Sequence, residues 1–206
     1  MSNKKDIIKA LIQAEAIQLN FDKYFTWTSG IKSPIYCDMR LLTGDVEARE
    51  MIVDAFIESV QKNYPQTNLI AGVASSGISW AAMIAQKMQL PMVYVRSSTK
   101  EYGAGRQIEG SFNSGQKVLV IEDLISTGSS CLNAVSVLKT TGLEVLGVQA
   151  IATYELQKSL VNFQKHNTTL KALISIKDLI DYFESYHLFT TLEIDELKKF
   201  LSILDN

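Results

Sequence analysis

The chain has 206 residues, of which 47% are hydrophobic and 20% are charged; this is an ordinary globular composition and enough chain for one domain. The formal net charge of −2, without long blocks of like charge, excludes the basic footprint of a general nucleic-acid-binding protein. The two cysteines, Cys37 and Cys131, are far apart and lack metal-ligand spacing, so we expect free thiols in a reducing compartment.

The N-terminal part of the chain combines two predicted helices with an aromatic segment between them. Apolar residues at helical spacing predict a first helix over residues 6–19, which also carries acids and therefore does not resemble a signal peptide. Residues 21–40 have no long period, which indicates short strands and turns. Asp45 is the predicted N-cap of a second helix over residues 45–62.

From residue 69 onward, predicted strands alternate with predicted helices. The strands are 69–73, 92–95, 117–121, 145–152 and 170–176, and the helices are 77–88, 130–140, 156–166, 179–186 and 194–204. This alternation predicts a single α/β domain with a mostly parallel sheet flanked by helices. Polar residues interrupt the apolar stretch 69–95, so we expect no membrane span and a cytoplasmic protein.

The most informative stretch is KVLVIEDLISTGSS, residues 117–130. A buried strand is followed at once by Glu122 and Asp123, and then by a hydroxyl-rich turn, 126–130, that opens a helix. Such a turn offers unpaired N–H groups, the positive end of the helix dipole and hydroxyls, all of which suit a phosphate. The carboxylates suit sugar hydroxyls or a bridging magnesium ion. The acid pair alone could equally be a solvated strand edge, but the whole series fits a ribose 5-phosphate.

Two further loops follow predicted strands. Residues 74–77, Ala-Ser-Ser-Gly, enter a helix and suit a second phosphate, although an ordinary N-cap also explains them. Residues 96–110 are polar and glycine-rich and carry Arg96 and Lys100, which is typical of a lid over a pyrophosphate or of a solvated surface loop. Ligands of parallel sheets bind beyond the carboxyl ends of the strands, so one cleft would collect all three loops if their strands are neighbours.

Two motifs carry a resemblance to a known family. VLVIEDLISTGSS resembles the 5-phosphoribosyl-1-pyrophosphate (PRPP) motif of type I phosphoribosyltransferases, and FTWTSGIKSPIYCDMR resembles the N-terminal signature of orotate phosphoribosyltransferases. The resemblance implies the type I phosphoribosyltransferase fold over residues 1–206, with residues 1–45 contributing a small hood over the base. It also implies the conversion of orotate and PRPP into orotidine 5′-monophosphate and pyrophosphate, a step of pyrimidine (UMP) biosynthesis.

The same resemblance implies roles for individual residues. Lys100, Glu122 and Asp123 would be catalytic, and orotate would contact Lys32, Tyr36, Cys37 and Ser126. The residues expected to bind PRPP are Ser75, Ser76, Arg96, Lys100, Tyr102, Glu122, Asp123, Leu124, Ile125, Ser126, Thr127, Gly128, Ser129 and Ser130. The expected cofactor is Mg²⁺, held mainly by PRPP rather than by a direct protein metal site. A homodimer is expected, in which the lid loop 96–110 reaches the neighbouring site.

Several positions depart from the family pattern, Tyr102 among them, and alternatives to the implied function stay open. Tyr102 stands where the family commonly has His; it can donate a hydrogen bond to a phosphate but cannot be a cation at neutral pH. A phosphoribosyltransferase for another base is one alternative, which the hood signature disfavours. Another is a PRPP-binding regulator, which would usually add a nucleic-acid domain or a basic surface.

Overall fold

The computed structural model describes residues 3–27, 30–98 and 107–205. The strands are β1 (Ile17–Leu19), β2 (Phe25–Thr26), β3 (Lys32–Ser33), β4 (Ile35–Cys37), β5 (Leu69–Val73), β6 (Met92–Val95), β7 (Ile108–Glu109), β8 (Lys117–Ile125), β9 (Glu144–Thr153) and β10 (Leu170–Ser175). The helices are α1 (Lys4–Gln13), α2 (Val46–Asn63), α3 (Ser76–Met88), α4 (Ser129–Thr140), α5 (Gln157–Lys165), α6 (Ile176–Ser185) and α7 (Thr191–Asp205), and a 3₁₀ segment spans Met39–Gly44.

A six-stranded sheet in the order β10-β9-β8-β5-β6-β7 forms the centre of the molecule. Its neighbouring strands are parallel except for β7, which pairs antiparallel with β6 at the edge. The predicted α/β fold with a mostly parallel sheet is therefore confirmed. The sequence did not predict β7, because a strand of two residues carries no periodic pattern and exists only through its pairing with Tyr94 and Val95.

The two faces of the sheet are covered by separate apolar layers. In β8, Leu119 and Ile121 face the layer that includes Phe56 of α2, whereas Val118 and Val120 face the layer that contains α4. All four strand residues are buried, as expected for a strand covered on both sides. Each such side chain contributes about 1.5–3 kcal/mol when it is removed from water, which makes β8 a rigid support for whatever follows it.

The predicted first helix is wrong in its second half. α1 ends at Gln13, and Ile17–Leu19 forms β1, which pairs antiparallel with β4. Glu15 adopts a φ of 54°, in the left-handed region that a right-handed helix cannot continue through. The backbone N–H of Ala16 then donates to the carbonyl of Leu11 at 2.9 Å, which closes the helix end. Pairing with a distant strand thus overrides the helical period of the apolar residues.

The strand that carries the acid pair is longer than the predicted 117–121. It runs to Ile125 because its parallel pairing with β9 continues through Glu122↔Ala150 and Ile125↔Thr153. Glu122 and Asp123 therefore lie on the strand itself and not in a loop beyond it. Their backbone is fixed by the ladder, which limits how far their carboxyl groups can move.

The described part of the segment between α1 and the 3₁₀ turn contains two small antiparallel sheets, β1–β4 and β2–β3. The short strands predicted over residues 21–40 are β2, β3 and β4, whereas β1 lies in the stretch predicted as helix. Phe21 packs edge-on against Phe189, and Trp27 packs edge-on against Phe200 of α7. The C-terminal helix thus braces this segment. In the part of the chain that the structure describes, no helix combines the length and apolar character needed to cross a membrane.

The helix caps supply a first testable prediction. α2 begins after Asp45, as predicted, and α6 begins with a capping box in which Ser175 Oγ accepts from the N–H of Asp178 at 3.2 Å. We expect Ser175→Ala to lower the free energy of unfolding by about 1 kcal/mol, because a first-turn N–H group loses its acceptor. Urea denaturation measures this, with the exposed Ser185→Ala at the other end of α6 as the control. Equal losses in both variants would contradict the cap.

Candidate active site

The three loops predicted to form one cleft begin at the same edge of the sheet. β5 lies between β6 and β8, and all three are parallel, so their carboxyl ends are adjacent. The N–H of Ala74 donates to the carbonyl of Val95 at 2.9 Å, which ties the loop after β5 to the end of β6. A Cβ atom on Gly77 would lie 2.5 Å from the Ile121 carbonyl and 3.3 Å from Glu122 Oε1. The loop after β5 therefore touches the acid pair.

The acid pair at the end of β8 is asymmetric. The side chain of Glu122 is 6% exposed, and its Oε1 accepts a hydrogen bond from the N–H of Asp123 at 3.0 Å. Burial, and then the charge of Asp123, raise the pKa of Glu122 to about 9. Glu122 is therefore protonated at neutral pH and can both donate and accept hydrogen bonds. Asp123 is half-buried, and its Oδ1 accepts from the N–H of Leu124 at 2.8 Å.

Residues of α5 contact the backbone of the hydroxyl-rich turn and fix its shape. Gly128, the N-cap residue of α4, has a φ of 76°, and a Cβ atom there would lie 2.6 Å from the ring of Phe163. Asn162 Nδ2 donates to the carbonyl of Thr127 at 3.0 Å, and the hydroxyls of Thr127 and Ser129 lie 3.1 Å apart. A glycine and two contacts from α5 thus shape the loop expected to bind the 5-phosphate.

Two of the helices that begin at this edge have N-termini without a carboxylate partner, which is typical of anion-binding sites. In the described residues, α3, α4 and α5 have neither an acid in their first turn nor a side-chain cap, but the first N–H of α5, that of Gln157, donates to the carboxylate of Asp205. By contrast, α1, α2, α6 and α7 each have an acid in the first turn, which complements the helix dipole. Two helix N-termini that lack this complement therefore lie beside the same cleft, one after Ser75 and one after Gly128.

The two ends of the predicted lid are joined. The N–H of Arg96 donates to the carbonyl of Gln107 at 2.9 Å, and Gln107 Nε2 donates back to the carbonyl of Arg96 at 2.7 Å. The guanidinium of Arg96 lies 3.7 Å from the Glu109 carboxylate. Lys100 and Tyr102 lie outside the described residues, so their roles stay predictions.

Of the hood residues predicted to meet orotate, Cys37 lies near the acid pair. Tyr36 stacks on Phe25 with ring centroids 5.5 Å apart. The pKa of Cys37 is raised to about 12, mainly by burial; the hydrogen bond from Tyr154 opposes this rise and the charge of Asp123 adds to it. The thiol is thus neutral, unpaired with Cys131 as predicted, and close enough to Asp123 to sense its charge. Lys32 is turned to its own hairpin, where Nζ donates to Thr26 Oγ1 at 2.7 Å.

The other residues predicted to contact PRPP differ in how far their side chains are buried. Ile125 is 1% exposed, and its side chain lies in the core layer beneath α4. Only its backbone is therefore left to contact PRPP, and its carbonyl already accepts a hydrogen bond from the N–H of Tyr154 at 2.9 Å. Leu124 is half-buried, Ser126 Oγ accepts from the N–H of Thr127 at 2.6 Å, and Ser130 is exposed.

Sequence reasoning missed the residues that support the site from elsewhere in the chain. Asn162 and Phe163 shape the loop expected to bind the 5-phosphate, and Tyr154 contacts Cys37. None of them belongs to either motif, and each acts through a contact of long sequence separation. Gly77 was recognised only as a small loop residue, although a glycine at the start of a helix is a signal of close backbone approach.

The comparisons with known proteins agree with this arrangement. A family model described as phosphoribosyl transferase domain matches residues 44–178. The orotate phosphoribosyltransferase of Streptococcus mutans is 47% identical over 180 residues, 87% of this chain and 86% of that protein. That of Listeria innocua is 44% identical over 199 residues, 97% of this chain and 95% of that protein.

Similarity extends to a solved structure. The crystal structure of orotate phosphoribosyltransferase from Aeropyrum pernix is 26% identical and superimposes with a TM-score of 0.75, covering 89% of this chain and 99% of that one. The alignment to the Listeria protein includes nearly all of both chains, so the likeness is not confined to the PRPP motif. The chain therefore belongs to the orotate phosphoribosyltransferase family.

Proposed function

We propose that this protein is a Mg²⁺-dependent orotate phosphoribosyltransferase, which transfers the 5-phosphoribosyl group of PRPP to orotate and works as a homodimer. The observation that carries this proposal is the acid pair on β8 at the sheet edge where α3 and α4 begin without a carboxylate at their N-termini. A sugar that carries phosphate groups at two positions matches this combination of groups. The hood signature and the family of the relatives support orotate as the base.

Each part of the cleft has a task in this reaction. The turn 126–130 and the N-terminus of α4 would bind the 5-phosphate, and Glu122 and Asp123 would bind the ribose hydroxyls. As pyrophosphate leaves, positive charge develops at the anomeric carbon, and this charge favours the ionised form of Glu122. The Ser75–Ser76 loop, Arg96 and Lys100 would neutralise the leaving group.

The donor chemistry of the cleft fits a magnesium ion held mainly by its substrate. The described residues contain no group of three or more His, Cys, Asp or Glu side chains placed to hold a metal. Mg²⁺ is commonly bound by one or two carboxylates together with substrate phosphates; Asp123 supplies one, and Glu122 would supply a second when it ionises. When bound, the ion would neutralise negative charge on the pyrophosphate and so favour its departure.

The reaction is tested by following the loss of orotate absorbance after PRPP and Mg²⁺ are added to purified protein. Uracil, hypoxanthine and xanthine are tried in parallel, and excess chelator is added in a further arm. We expect consumption of orotate only, and none with chelator. Consumption of another base instead would identify a phosphoribosyltransferase for that base. Binding of PRPP without consumption of any base would identify a regulator.

Lys100→Ala supplies the next prediction. We expect kcat to fall about 100-fold with little change in orotate binding, because a cation that stabilises the leaving pyrophosphate acts in the transition state. Lys171→Ala, an exposed lysine on β10 at the far edge of the sheet, is the control. An unchanged kcat would reject the catalytic role of Lys100.

The same variant tests whether the lid acts across a dimer. If Lys100 reaches the partner's site, mixing Lys100→Ala protein with Asp123→Asn protein creates one intact site in each mixed dimer. Random exchange would then restore about a quarter of the wild-type activity. Mixtures that stay as inactive as their parts, although subunit exchange is demonstrated with labelled chains, would place Lys100 in its own subunit's site.

A further inference from the structure

Tyr154 connects the strand of the PRPP motif with the hood. It follows β9 directly, and its backbone N–H donates to the carbonyl of Ile125 at the end of β8, at 2.9 Å. Its hydroxyl donates to Cys37 Sγ on β4 at 3.3 Å. The residue is 5% exposed, so both ends of this connection are shielded from water.

The ring of Tyr154 extends the connection to the C-terminal helix. Its centroid lies 5.7 Å from that of Trp27, whose Nε1 donates to the carbonyl of Ile35 at 3.0 Å. Trp27 in turn packs edge-on against Phe200 of α7, at 5.9 Å. The hood is thus attached to the rest of the molecule through an aromatic cluster in which half-buried Trp27 contacts both Phe200 and the buried Tyr154.

These contacts matter because the hood strands are too short to fix their own position. β1 and β4 have three residues each, and β2 and β3 have two each. Isolated two-stranded ribbons are marginally stable even when they are longer, so their placement depends on tertiary contacts. Tyr36 and Cys37, the hood residues expected at the base, are carried by β4.

We infer that Tyr154 is a positioning residue for the base, which holds Tyr36 and Cys37 of the hood at a fixed distance from the acid pair of the PRPP motif. The inference rests on the proposed function and adds a residue outside both motifs. A tyrosine suits this task because its rigid ring has few rotatable bonds and its hydroxyl finds a partner while buried. Its effect is directed at the flat base, because the contact it makes with the hood is to the strand that carries Tyr36.

The test compares Tyr154→Phe with Tyr64→Phe in the full-length protein. Tyr64 is a matched control: it is 7% exposed, and its hydroxyl also lies 3.3 Å from a partner, Thr169 Oγ1, at the opposite end of the strands. For Tyr154→Phe we expect the KM for orotate to rise about fivefold, with the KM for PRPP and kcat within about twofold of wild type. For Tyr64→Phe we expect both KM values to stay at wild-type values, with a similar change in Tm.

A second set of variants tests the hydrogen bond itself. Cys37→Ser keeps an acceptor for Tyr154, whereas Cys37→Ala removes it. If the two residues act through this hydrogen bond, Tyr154→Phe combined with Cys37→Ala should raise the KM for orotate no further than the worse single variant. The effects of Tyr154→Phe and Cys37→Ser on this KM should instead add in their double variant.

Three outcomes decide the inference. An orotate KM in Tyr154→Phe that equals the wild-type value overturns it. Equal rises of both KM values together with a large fall in Tm also overturn it, because they indicate general loss of structure. If the wild-type protein itself does not consume orotate, the proposed function is refuted. This outcome does not involve the variant, so it is distinguished from a failure of the inference about Tyr154.

Discussion

Gly128→Ala is expected to destabilise the protein by about 2–4 kcal/mol and to raise the KM for PRPP by more than about tenfold. Gly128 has a φ of 76°, a conformation that alanine adopts only with strain, and the added Cβ atom would lie 2.6 Å from the buried ring of Phe163. To relieve that contact, the loop would have to move away from α5. Because the same loop is expected to bind the 5-phosphate, stability and PRPP binding should fall together.

The chain offers a matched control for this glycine. Gly115 has a similar φ of 83°, but nothing lies within 4 Å of where its Cβ atom would be. Gly115→Ala therefore measures the backbone strain alone, about 1–2 kcal/mol, in urea denaturation. Adding Phe163→Leu to Gly128→Ala should recover part of the PRPP affinity. Equal losses of stability in the two glycine variants would show that the contact with Phe163 has no effect.

Glu122→Gln is expected to make the protein more stable and less active. The pKa of Glu122 is raised to about 9 in the folded protein, from an ordinary value of 4.5, mainly by burial and then by the charge of Asp123. The folded protein therefore holds this proton more strongly than the unfolded chain. Between these two values, raising the pH lowers the free energy of unfolding of the wild type, because unfolding releases the proton.

Glutamine cannot titrate, so this loss is absent from the variant. We expect the stability of Glu122→Gln relative to wild type to increase by about 1–3 kcal/mol between pH 5 and pH 8. The kcat should fall about tenfold or more, because the amide of glutamine, unlike the carboxyl group of Glu122, cannot ionise as positive charge develops at the anomeric carbon. Urea titrations at several pH values measure the first effect. A stability difference that is constant with pH would contradict the raised pKa.

The comparison of α1 with α2 shows what limits prediction from local patterns. α2 begins where predicted, because Asp45 supplies its N-cap and the apolar residues that follow supply one buried face. The residues 17–19 continue the apolar pattern of α1 equally well, yet they form β1 because β4 offers a pairing partner. Local patterns cannot register such a partner, and the same holds for β7 and for the extension of β8 to Ile125.

Within the site, the residues that lie together in the chain were predictable. Glu122, Asp123 and the turn 126–130 are contiguous, so their residue types alone indicated a sugar phosphate. The hood was recognised through its resemblance to a family, since no physical rule connects its sequence to a pyrimidine. The raised pKa of Glu122 could not be foreseen, because it depends on how deeply packing buries that carboxyl group.

The amino-acid sequence by itself determined the alternation of strands and helices, the buried character of β5 and β8, and the chemistry of the PRPP loop. These properties depend on residue type and on spacing over a few positions. Only the tertiary structure decided that the three loops share one edge, that Phe163 requires glycine at position 128, and that Tyr154 connects the hood to β8. These properties depend on contacts between segments far apart in the chain, which form when the sheet and its helices pack.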